Sequence, residues 1–115
     1  MLAICPLADL PVGEALRFVP PGGEPPIAVF HTDDGQLLAV DDTCTHERAS
    51  LADGWLEGCE VECPLHSSRF DLRTGAVDAP PARLPVRTHT VVVENGMVNV
   101  VLSQEPPNLP LSARA

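Results

Sequence analysis

The chain has no tyrosine, only three phenylalanines and one tryptophan, and 7 basic against 16 acidic residues, a formal charge of −9. Such a balance repels phosphate backbones and anionic lipid, so nucleic-acid and membrane-surface binding are poor readings. The acidic surface either suits a basic patch on a partner or simply keeps the chain in solution. No apolar stretch is long enough to span a bilayer, and Met1 to Leu10 has no basic segment followed by an apolar run. A cytoplasmic protein is expected. A nucleophile motif, a glycine-rich phosphate loop, a basic helix and an internal repeat are also missing, and no pair of carboxylates sits in a catalytic motif. The chain is therefore not read as an enzyme.

What is present is a single domain's worth of apolar sequence: 115 residues, 44% hydrophobic, with 13 prolines and 8 glycines. Proline interrupts helices and central strands alike, so short strands and turns are expected, an all-β antiparallel fold. Leu2 to Pro6 and Ala15 to Val19 read as the first two strands, before the turn Pro20, Pro21, Gly22, Gly23. Ile27 to Thr32 and Gln36 to Asp41 flank Asp33-Asp34-Gly35, and Val86 to Glu94 and Met97 to Leu102 flank Asn95-Gly96, both hairpin signals. From Asp42 to about Pro85 the texture turns polar, with Cys, His, Gly and Pro. This stretch (about 42–85) is read as a small subdomain of loops and short strands set into a domain covering 1–103. The proline-containing tail, 104–115, is read as extended or mobile.

The strongest local signal is Cys44-Thr45-His46, then sixteen residues, then Cys63-Pro64-Leu65-His66. Two thiolates and two imidazoles are enough to saturate a metal centre. A mononuclear zinc would use the same four residues, making the chain a structural zinc module for protein binding. Zinc fingers, however, pair cysteine with cysteine and histidine with histidine, whereas each half here mixes the two. Mixed halves suit a binuclear cluster in which one iron takes both cysteines and the other both histidines.

With Gly54-Trp55-Leu56 before the second pair, Phe70-Asp71-Leu72 and Thr74-Gly75 after it, and Pro80-Pro81-Ala82 further on, the chain resembles the Rieske ferredoxins of aromatic-ring-hydroxylating dioxygenase systems over roughly residues 25 to 103. The resemblance implies a β-sandwich-like Rieske domain with one [2Fe–2S] cluster. Cys44 and Cys63 would ligate one iron, His46 and His66 the other, and Pro80-Pro81 would lie in a loop beside them. It also implies a role: carrying single electrons from a flavin-containing reductase to a terminal oxygenase, with no catalysis by the chain itself. A Rieske subunit of another oxidoreductase is the nearest rival. A monomer is expected.

That ligand set has an electrostatic consequence. Two ferric ions, two sulfides and two cysteinates sum to about zero, so accepting an electron is easier than for an all-cysteine cluster. Within the resulting range, high-potential relatives add a disulfide between the ligand loops and a serine and a tyrosine hydroxyl aimed at the sulfurs. This chain has Ala49 and Leu65 at the disulfide positions, Ser68 at the serine and Phe70 at the tyrosine. A low potential, roughly −150 mV, is expected. Ser67 stands where such ferredoxins usually have glycine, which would strain a loop needing positive φ there.

Of the remaining residues, Cys59 is read as a buried free thiol and Cys5 as a core-side strand residue. His31 and His89 read as packed or half-exposed strand histidines, and Trp55 as a packing anchor. Glu47 and Arg48 lie on a possible docking rim. Exposed edges of His46 and His66 would pass the electron on, with acidic residues around them steering the chain toward basic partner patches at rates that fall as salt rises.

Overall fold

The run Ile27-Ala28-Val29-Phe30 has no polar position in its alternation, which predicts a strand buried on both faces. The computed structural model, which describes residues 1–65, 67–78 and 80–110, bears this out. Six strands form one antiparallel sheet: β1 (Leu2–Pro6), β2 (Ala15–Phe18), β3 (Ile27–His31), β4 (Leu37–Asp41), β8 (Thr88–Glu94) and β9 (Met97–Val101). Their order is β1-β9-β8-β4-β3-β2, so the first strand pairs with the last. Between β4 and β8 in the chain come β5 (Trp55–Glu57), β6 (Glu60–Glu62) and β7 (Arg69–Asp71), a separate three-stranded antiparallel sheet. Among the described residues the fold is all-β apart from two short 3-10 turns, Leu7–Asp9 and Leu51–Asp53.

β3 divides the core in two. Ile27 and Val29 pack with Leu10, Ala39, Val98 and Val100 on one side. On the other, Ala28 and Phe30 pack with Val40 and meet Val61, Phe70, Leu72, Cys44 and Cys63. The small sheet is thus fastened to the large one by the same apolar cluster that contains both cysteines.

The two hairpin turns form where the sequence places them. Asn95 and Gly96 both have positive φ, 51° and 74°, as a type I′ turn requires. The tail residues 104–110 carry no regular structure and lie along the body. Arg87 Nη1 donates to the Glu105 carbonyl at 2.8 Å, Asn108 Nδ2 donates to the Pro85 carbonyl at 3.0 Å, and Pro110 is buried. Residues 111–115 lie outside the described residues.

Candidate metal centre

Three loops meet at one end of the small sheet. The first is closed at its base by a Thr43–Ser50 bridge and by Cys44 N–H donating to the Ala49 carbonyl at 3.0 Å, which leaves residues 45–48 at its end. The second is closed by Cys63 N–H donating to the Ser68 carbonyl at 2.9 Å. The third, from Pro80 to Pro85, contains the cis Pro80-Pro81 bond. Thr45 Oγ1 donates to the Leu84 carbonyl at 2.7 Å and Ala82 N–H donates to Ser68 Oγ at 2.8 Å, tying the third loop to the other two.

The first loop is held from below by Asp42, itself 2% exposed. Its Oδ1 accepts from Ser50 Oγ at 2.8 Å and from Ala52 N–H at 2.9 Å, and its Oδ2 accepts from Arg17 Nε at 3.0 Å. Sequence reasoning did not single out Asp42. The only signal was two adjacent acids, Asp41-Asp42, at the end of an apolar strand, where buried charge demands partners.

Of the four expected ligands, Cys44 and Cys63 are fully buried in the same apolar cluster. His46 is exposed at the end of the first loop. His66 lies outside the described residues. Burial pushes the Cys44 thiol up, and the neighbouring Cys63 adds to this, whereas the backbone N–H groups of His46 and Glu47 pull it down. Two thiols brought together in an apolar pocket, with backbone donors aimed at one of them, suit a cationic centre that takes both as thiolates. Ser68 is fully buried, and accepting the Ala82 N–H leaves its own proton to donate. The donor set therefore fits an iron–sulfur cluster. Among the described residues, no three His, Cys, Asp or Glu side chains converge on a single ion.

Several other expectations need correction. Trp55 is 61% exposed and lies outside the core cluster, on the outer face with Glu62 and Arg69. Its strand alternates, and Leu56, opposite Val61 and Phe70, is the residue that turns inward. Cys59 is half-exposed, not buried: it sits in the β5–β6 turn, where Gln36 Nε2 donates to its sulfur at 3.4 Å. Ser67 carries no strain from positive φ, since Asn95 is the only non-glycine residue with positive φ among the described residues. Acidic residues are expected around the tip; Arg48 at the end of the first loop lines a surface hollow with Glu24 and Arg17. The charged residues within the three loops themselves are Glu47, Arg48 and Arg83. His31 and His89 are structural. The His31 ring contacts the Leu10 carbonyl through Nδ1 at 2.8 Å. His89 Nδ1 accepts the Ser103 N–H, so its Nε2–H donates to Asp41, whose carboxylate also takes Arg87.

A family model described as Rieske [2Fe-2S] domain matches residues 1–90. The ferredoxin subunit of 3-phenylpropionate/cinnamic acid dioxygenase from Photorhabdus laumondii is 43% identical over 105 residues, 90% of this chain and 96% of that protein. The ferredoxin of Sphingomonas yanoikuyae B1 superposes with a TM-score of 0.80 at 36% identity, covering 86% of this chain and 95% of the other. A ferredoxin solved in complex with the reduced oxygenase of carbazole 1,9a-dioxygenase superposes at 0.81 with 37% identity, covering 87% and 100%.

Proposed function

We propose, from the premise that this chain belongs to the Rieske [2Fe–2S] domain family, that Cys44, His46, Cys63 and His66 hold its cluster and that it carries electrons between a flavin-containing reductase and a ring-hydroxylating oxygenase. One cluster per chain and an electron-carrying, non-catalytic role follow from the family and from relatives of nearly the same length. The observation that carries the ligand assignment is a pair of fully buried thiols in one apolar cluster, with an exposed histidine two residues along the loop from one of them. When bound, the cluster supplies a site that takes up and releases one electron at a time.

The chain's own residues give that site a direction. Cys44 and Cys63 sit in the apolar core, where water is excluded, and His46 is at the surface. The exit for the electron is thus the loop end that carries His46. The oxygenase complexed with the carbazole ferredoxin supports an oxygenase as one partner. No helix among the described residues is long and apolar enough to cross a membrane. The free thiols of Cys5 and Cys59 suit a reducing cytoplasm, where we place a monomeric carrier.

The potential follows from what surrounds the sulfurs. With Phe70 in place of a hydroxyl donor, and no cysteine at Ala49 or Leu65, it falls near −150 mV. Iron and sulfide analysis, with EPR after reduction, tests the cluster: two irons and two sulfides per chain with a rhombic signal are expected, and a colourless protein holding one zinc would refute it. Protein-film voltammetry tests the potential, and a midpoint above about +100 mV would contradict it.

A further inference from the structure

The loop end differs in charge from the rest of the molecule. Of the −9 total, Glu47, Arg48 and Arg83 contribute +1, which leaves −10 on the remainder of the chain. Arg48 is exposed at the end of the first loop. Arg83 is exposed in the third, next to Leu84, whose carbonyl is bonded to Thr45. Among the described residues neither guanidinium has an ion pair, although Arg17, Arg69, Arg73 and Arg87 each have one. Leu84, next to Arg83, is 46% exposed, and Leu65, in the second loop that Ser68 ties to the third, is 60% exposed. Exposed leucines and arginines without an ion pair among the described residues, on loops tied to the one that carries the exposed His46, make a mixed apolar and cationic end.

We infer that this patch docks on an apolar surface of the terminal oxygenase that presents carboxylates to Arg48 and Arg83. The assignment rests on the carrier reading above and gives the chemistry of its partner. Screening confines charge recognition to about 8–10 Å, so the groups at the loop end, not the net charge, decide what it meets. A free guanidinium is built to take a carboxylate in a two-pronged hydrogen bond. The acidic body sharpens the choice. A carboxylate-bearing surface repels the body and attracts only the loop end, so encounters are turned to bring His46 forward. A basic surface would instead attract the flanks and hold the molecule in unproductive orientations.

The test is charge reversal. The holoprotein with Arg48→Glu and Arg83→Glu, alone and together, is reduced chemically and its oxidation by the terminal oxygenase is followed. KM for the carrier should rise about ten-fold or more in the double variant, with kcat and the visible spectrum little changed. Lysine at both positions should restore most of the affinity. A control pair at the opposite ends of the large sheet's strands, Glu14→Gln with Glu94→Gln, should leave KM within about two-fold. An unchanged KM in the double variant, or a KM that falls because the partner surface is basic, overturns the inference. If the wild-type holoprotein, spectrum intact, passes no electrons to the oxygenase, the carrier reading fails and this inference with it.

Discussion

At the scale of single residues, the two kinds of cysteine separate cleanly. Cys44 and Cys63 are fully buried in one apolar cluster, whereas Cys59 is half-exposed in a turn and bonded to Gln36. Cys44→Ser or Cys63→Ser should therefore abolish cluster assembly, and Cys59→Ser should leave the absorption spectrum unchanged. Bleaching in Cys59→Ser would place that sulfur in the centre. Ser68 makes a subtler case. Its hydroxyl accepts from Ala82 and keeps a proton to give, and a bond to a sulfur favours the reduced state, with its extra negative charge. Ser68→Ala should lower the midpoint by about 60 mV, the equivalent of ~1.4 kcal/mol for one electron. The four proposed ligands could be picked out because their chemistry is carried by residue type and spacing. Whether a neighbouring side chain points in or out depends on strand parity, which is why Trp55 was misread. Leu56, Val61 and Phe70 form the inward row, and only the pairing of three short strands reveals it.

At the scale of elements, the cluster loops depend on two close approaches. A Cβ on Gly75, at φ +82°, would lie 2.0 Å from the Val86 carbonyl oxygen, and one on Gly54 would lie 2.2 Å from that of Glu62. Both obstacles are backbone, so neither can swing aside. Gly75→Ala should destabilise the holoprotein by about 3 kcal/mol, read by thermal melting, with cluster loss accompanying unfolding. The outer face of the small sheet carries a different tension. Glu57, Glu60 and Asp71 lie opposite one another across three strands, and Asp78 beside Glu60 pushes its carboxyl up. A carboxyl raised on folding is penalised once ionised, so Glu60→Gln should raise the melting temperature slightly at neutral pH. The gain should vanish as pH falls low enough to protonate Glu60 in both states. The large sheet's strands were legible almost to the residue, since alternation and turn residues are local signals. The pairing of β1 with β9 was not, because no local pattern records which distant strand closes a sheet.

At the scale of the whole molecule, composition misled about where the charge lies. A count of 16 acids predicts acidity everywhere, but the three loops themselves carry two arginines, Arg48 and Arg83, against one carboxylate, Glu47. The sequence-derived isoelectric point of about 4.6 still governs bulk behaviour. Solubility of the holoprotein should pass through a minimum near that pH, as light scattering would show, because self-repulsion disappears there. The exposed Trp55 has a use of its own at this scale. As the chain's sole tryptophan, it stands on the outer side of a sheet whose inner side packs against both cysteines. A fluorophore one strand layer from a centre that absorbs across the visible range will be dimmed while the centre is intact. Recovery of its emission would thus time the loss of the cluster in solution, with no label added.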